Sequence, residues 1–115
     1  VPAFYNIIPE ANHNEIAGFK KDTDLNFLDK FYFIILEDED DWPEITKRFS
    51  ILTNWLTKER YPVEKIILKG HNRLDKIINN LNQAVRVSIT LAEARQQDPF
   101  PTPAIDDFKE MMGLT

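Results

Sequence analysis

Phe31-Tyr32-Phe33-Ile34-Ile35-Leu36 is a run of six apolar residues, several of them aromatic or β-branched. Such a run predicts a strand covered on both faces, the pattern of a parallel sheet. It stops abruptly at Glu37-Asp38-Glu39-Asp40-Asp41, and the apolar pattern then changes period. Trp42, Ile45, Phe49, Leu52 and Leu56 follow at spacings of 3, 4, 3 and 4, which lines them along one stripe of a helix. Asp41 is placed to cap that helix, Pro43 suits its first turn, and Glu44 stands three residues after Asp41 as in a capping box. Lys58 and Arg60 complement the dipole at the far end, and Pro62 forbids continuation, so a helix is predicted near 42–60. Val63 to Leu68 returns to strand character around Ile66-Ile67-Leu68, and Gly70 closes it. Strand, helix and strand in this order form a βαβ unit, with a right-handed crossover as the default.

From Asn72 to Gln97 there is neither Gly nor Pro. Leu74, Ile78, Leu81, Val85, Ile89 and Ala92 keep helical spacing, while Val85, Val87, Ile89 and Leu91 alternate as a strand would. The helix near 72–97 is the main reading, because no turn residue divides the stretch and Ala92-Glu93-Ala94-Arg95 are strong helix formers. Apolar residues on several faces of Val87 to Ala94 predict deep burial there. Asp98-Pro99-Phe100-Pro101-Thr102-Pro103 is a rigid connector, after which Thr102 and Pro103 start a short helix near 103–112, lined by Ile105, Phe108 and Met112 and ended by Gly113. Pro2 to Ile8 is expected to form a helical turn or two. The fold class is thus α/β: a short parallel sheet, strands near 31–36 and 63–68, flanked by helices. Two strands are few for such a sheet, so these 115 residues, one domain's worth of chain, are expected to belong to a larger fold.

Composition narrows the function. Lys plus Arg number 14 against 19 for Asp plus Glu, a formal charge of −5 that disfavours binding to nucleic-acid phosphates. Cysteine is absent, which excludes disulfides, thiolate metal sites and a thiol nucleophile and suits a reducing, cytoplasmic setting. No apolar run approaches a membrane span, and Val1-Pro2-Ala3 lacks the look of a signal peptide.

Several clusters hold chemistry-bearing groups. Glu10, His13 and Glu15 stand together with Asn12 and Asn14. Imidazole titrates near neutrality, so the group fits proton exchange or metal binding, and it equally fits a hydrogen-bonded surface turn. A metal site needs further ligands, and the other histidine, His71, is far along the chain. The run from Glu37 to Asp41 follows a strand end, where open α/β sheets bind ligands, and it fits either a hard cation such as Mg²⁺ or a solvated loop with a capping aspartate. His71 and Asn72 follow Gly70 without the glycines of a phosphate loop, and Asn72 as N-cap with Asp75 three residues on accounts for them. Lys109, beside Phe108 on the last helix, fits a solvated lysine that favours the dipole.

The residues Pro2-Ala3-Phe4-Tyr5-Asn6 and Pro9-Glu10-Ala11-Asn12-His13-Asn14-Glu15-Ile16-Ala17-Gly18-Phe19 add a resemblance. They look like the C-terminal domain of the bifunctional phosphoglucose/phosphomannose isomerases, of the sugar isomerase (SIS) fold group, whose mark is the Asn-His-Asn-Glu run. Asp98-Pro99, Ala104-Ile105-Asp106 and Lys109 before Gly113 resemble the family's closing segment. The resemblance implies a partial three-layer SIS-type fold. It also implies interconversion of glucose 6-phosphate or mannose 6-phosphate with fructose 6-phosphate through a cis-enediol, without metal or organic cofactor. By the same resemblance His13 assists ring opening, reaching the site of the other subunit of a homodimer, and Lys109 acts at the ring oxygen. The family's catalytic glutamate and its Ser/Thr-rich phosphate loops match nothing in this chain and are expected in preceding polypeptide, including an N-terminal SIS domain. Glu10 and Glu15 are not that base, so the chain alone is expected to be inactive. Two other readings stay open: an SIS-type module that only binds a sugar phosphate, and a phosphoacceptor domain of receiver type, which the single βαβ unit disfavours.

Overall fold

A computed structural model describes residues 3–13, 15–20 and 29–113. Contacts divide the chain into two compact units, Val1–Leu68 and Lys69–Thr115. In the first, short 3-10 turns at Glu10–Asn12 and Glu15–Phe19 precede strand β1 (Phe33–Glu37), helix α1 (Pro43–Lys58) and strand β2 (Val63–Ile67). The strands pair in parallel, with Phe33 opposite Val63 and Glu37 opposite Ile67. Phe33 N–H donates to the Pro62 carbonyl and Leu68 N–H to the Glu37 carbonyl, extending the ladder at both ends. The βαβ order expected from the change of hydrophobic period is therefore present, as part of an α/β fold consistent with a partial SIS-type architecture.

The core of this unit forms where the helical stripe meets the strand. Ile35, Leu56 and Tyr61 are buried, and Phe19, Phe31, Phe33, Phe49, Leu52, Trp55 and Val63 pack around them. Phe19 stands edge-on to Phe33 and Tyr61, with ring centroids 5.1 and 6.1 Å away, the arrangement that aromatic quadrupoles favour. Tyr61 O–H donates to the Phe19 carbonyl at 2.8 Å, so its polar end is satisfied inside the cluster.

In this unit three local expectations are corrected. The first strand is covered on one face, not two: Ile35 and Glu37 are buried, while Tyr32, Ile34 and Leu36 keep more than half of their surface exposed. Side chains alternate across a strand, and among the described residues α1 is the α-helix of this unit that packs against β1. The N-cap of α1 is Trp42, not Asp41, because Pro43 already occupies the first helical position. Asp41 instead folds back, its Oδ2 accepting from Asp38 N–H at 3.4 Å and its own N–H donating to the Asp38 carbonyl. Ala3 to Ile7 form no regular structure where helical turns were expected, and Pro2 lies outside the described residues. The end of α1 is marked by Arg60, whose φ of 65° is left-handed, and by Tyr61 N–H bonded to the Leu56 carbonyl.

In the second unit, α2 (Arg73–Ala94) is one continuous helix, which settles the competing strand pattern around Val85 to Leu91. Asn72 caps it, its Oδ1 accepting from Asp75 N–H at 3.0 Å. Gly70 is required by proximity: a Cβ there would lie 2.5 Å from the Lys76 backbone nitrogen. Helix α3 (Pro103–Met111) begins after Thr102, whose side chain makes no capping bond, and ends before Gly113 at φ 67°. The deep burial expected along Val87 to Ala94 is absent, since Val87 and Leu91 stay about half exposed. An all-round apolar helix reports a capacity for burial, and α2 meets little of its own unit to bury against. No helix among the described residues is long and apolar enough to cross a membrane.

Candidate functional site

His13 closes the first 3-10 turn. Its N–H donates to the Glu10 carbonyl at 3.1 Å, Asn12 N–H donates to Pro9, and Ala11 N–H donates to Ile7. Three backbone bonds in succession thus fix the turn, while the His13, Glu10 and Glu15 side chains face solvent. Asn14 lies outside the described residues, so the Asn-His-Asn-Glu run is described at three of its four positions.

Asn12 is turned the other way. Its Oδ1 is buried and has no hydrogen-bond partner among the described residues. The residue lines an open cleft of about 240 Å³ together with Ile16, and with Arg48, Ile51 and Leu52 of α1. The walls are mainly aliphatic, with one cation and one carboxamide as the polar groups.

Lys109 lies in the second unit, on α3, with its side chain half exposed. Its ammonium is 3.9 Å from Asp106 Oδ1, an i,i+3 pair at the limit of ion-pair distance and of small energetic weight. A loosely held ammonium remains able to meet another anion. His71 is fully exposed with Nδ1 3.6 Å from Asp75 Oδ2, and Asn72 beside it is the helix cap that its position implied.

The acidic run splits into two parts. Glu37 is buried at the end of β1, and its Oε2 accepts from Lys65 Nζ at 2.7 Å. Asp38 to Asp41 form a self-bonded turn, in which Asp40 N–H also donates to Asp38 Oδ1 at 3.0 Å. Among the described residues no group of three or more carboxylate or histidine side chains is gathered to hold a metal ion. Neither the Glu10–His13–Glu15 cluster nor the acidic run forms such a site. The Glu37–Lys65 pair was missed in the sequence, although alternation gave the signal: Glu37 is two residues beyond Ile35 and so shares its inward face. The Arg48 cleft had no sequence signal, since it depends on how the 3-10 turns sit against α1.

Comparison with known proteins bears on the whole chain. Residues 1–112 match the family model described as bacterial phospho-glucose isomerase C-terminal SIS domain. A bifunctional phosphoglucose/phosphomannose isomerase of Aquifex aeolicus is 33% identical over 95% of this chain and 33% of its own length. The protein of the same name from Caldicellulosiruptor bescii is 30% identical over 97% of this chain and 32% of its own. The chain thus spans about a third of the length of these curated relatives. No solved structure gives a significant match. With a family model accounting for all but its last three residues, the chain belongs to the family of bacterial phosphoglucose isomerase C-terminal SIS domains.

Proposed function

We propose that this chain is the C-terminal part of an aldose–ketose isomerase that interconverts glucose 6-phosphate or mannose 6-phosphate with fructose 6-phosphate through a cis-enediol. The observation that supports this most is the family match across residues 1–112, which takes in both the His13 turn and the Lys109 helix. His13 is an exposed imidazole on a turn fixed by its backbone, suited to taking the anomeric hydroxyl proton during ring opening. Lys109 offers an exposed ammonium to the alkoxide that develops at the ring oxygen. The carboxylate that moves the proton between C1 and C2, and the groups that grip the phosphate, belong to the preceding SIS domain and its connection to this one. The working enzyme is a cytoplasmic homodimer in which His13 of one subunit serves the site of the other, and it needs neither metal nor organic cofactor.

The test is turnover. The complete enzyme converts both aldose phosphates, and His13→Gln and Lys109→Met each lower kcat by roughly 10²–10⁴. This chain alone has no turnover. Appreciable rates from the isolated chain, or variants as active as the parent, would remove the reading, and binding without turnover by the complete protein would favour a sugar-phosphate-binding module instead.

A further inference from the structure

Lys109 and Asp106 stand one helical turn apart on α3, and the ammonium lies 3.9 Å from Asp106 Oδ1. That distance is longer than a hydrogen bond, so charge holds the pair and the N–H donors of the ammonium stay unspent on the carboxylate. Among the described residues no other ion pair or hydrogen bond engages the ammonium. The neighbouring carboxylates do not compete for it. Asp107 and Glu110 occupy parts of the helix surface that do not face Lys109, whereas positions i and i+3 share a face. A helical side chain also leans back toward the N-terminus, which carries the lysine stem toward Asp106. Asp106 is itself well seated. It lies in the first turn of α3, where the helix dipole favours a carboxylate, and its N–H donates to the Thr102 carbonyl at 3.0 Å.

We infer that Asp106 is a positioning residue for Lys109: its carboxylate aims the ammonium along α3 and leaves the donors free for the ring oxygen of the sugar. This rests on the role proposed for Lys109. The lysine stem is a flexible four-carbon chain, and both side chains are more than half exposed, so without the carboxylate the ammonium spreads over many positions in water. A surface pair of this kind adds little to stability. Its effect on rate is separate, because the alkoxide charge develops only in the transition state and a donor already aimed there needs no reordering. A direct hydrogen bond to Asp106 would work against that end, since the ammonium would have to break it first.

The experiment compares variants of the complete isomerase by steady-state kinetics. Asp106→Asn keeps the size of the side chain and is expected to lower kcat about threefold with KM within about twofold, the split of an interaction made in the transition state. Asp106→Glu recovers most of that rate, because it returns a carboxylate to the same face. Asp107→Asn removes the same charge from a face that Lys109 does not share, and it leaves kcat at the parent's value. In a Lys109→Met background Asp106→Asn has no further effect. A thermal unfolding midpoint of Asp106→Asn close to the parent's excludes a general loss of fold. Asp106→Asn as fast as the parent, Asp107→Asn as slow as Asp106→Asn, or a loss that persists without the lysine overturns the positioning role and leaves the isomerase reading in place. Lys109→Met as fast as the parent overturns the role of Lys109 first, and with it that of Asp106.

Discussion

The Lys65 ammonium stands 2.7 Å from Oε2 of Glu37, joining the middle of β2 to the carboxyl end of β1. The two ends of this pair differ. The Glu37 side chain is 7% exposed and its Oε1 has no hydrogen-bond partner among the described residues, whereas the Lys65 side chain is 42% exposed. Removing the lysine strands a buried carboxylate; removing the glutamate frees an ammonium that can turn to water. Lys65→Met is therefore expected to destabilise by about 2 kcal/mol, below the usual cost for a fully buried pair because solvent already screens the lysine. Glu37→Met should change stability by less than about 1 kcal/mol in either direction. Urea unfolding of the two variants measures the asymmetry, and equal losses would count against it.

Tyr61 ties together parts of the chain 42 residues apart through its bond to the Phe19 carbonyl. Tyr61→Phe keeps the ring packing and loses the bond, at a cost of about 1 kcal/mol. Leu56, at 1% exposure, fills the centre of the same cluster, and Leu56→Ala should cost about 3 kcal/mol through lost burial and the cavity left behind. Denaturant midpoints give both values, and a Tyr61→Phe loss as large as that of Leu56→Ala would show that the hydroxyl does more than bond to one carbonyl.

Gly70→Ala places a methyl 2.5 Å from the Lys76 nitrogen and 2.9 Å from Asp75 Cβ, so the start of α2 must shift. About 2 kcal/mol is expected from such overpacking. Gly18 has nothing within 4 Å of the same position, and Gly18→Ala should leave stability within about 0.5 kcal/mol of the parent. Thermal unfolding of the two variants side by side checks whether proximity, and not glycine content as such, sets the effect.

The two helix starts in the second unit make opposite forecasts. Asn72→Ala removes an oxygen that accepts from Asp75 N–H and should cost about 1 kcal/mol, with Asn72→Asp close to the parent. Thr102→Ala removes a side chain that makes no capping bond and should change little. Far-UV circular dichroism through a urea titration follows both.

Much of this is legible in the amino-acid sequence. The switch from the apolar run ending at Leu36 to the 3-and-4 spacing of Ile45, Phe49, Leu52 and Leu56 gave the βαβ order, because side-chain period follows backbone geometry. Asn72 was identified as a cap, since its residue type and spacing to Asp75 are local matters. The candidate site was legible in part. The Asn-His-Asn-Glu run and Lys109 point to the family by identity of residues, while nothing in the sequence marks Arg48, which stands on a helix face with no motif.

What the amino-acid order settled alone was the kind of element each segment forms, for periodicity, capping and proline act within a few residues. The fold in three dimensions decided the rest. Tyr32, Ile34 and Leu36 are as apolar as Ile35, yet α1 covers one side of β1 and leaves them open. Val87 and Leu91 could be buried and are not, Asp41 turns to Asp38 where a helix cap was expected, and Asn12 lines a cleft that exists only because a turn and a helix meet. Hydrophobicity and hydrogen-bonding capacity are properties of a residue, but burial and partnership belong to pairs of surfaces, and chain-distant pairs are chosen only when the backbone has folded.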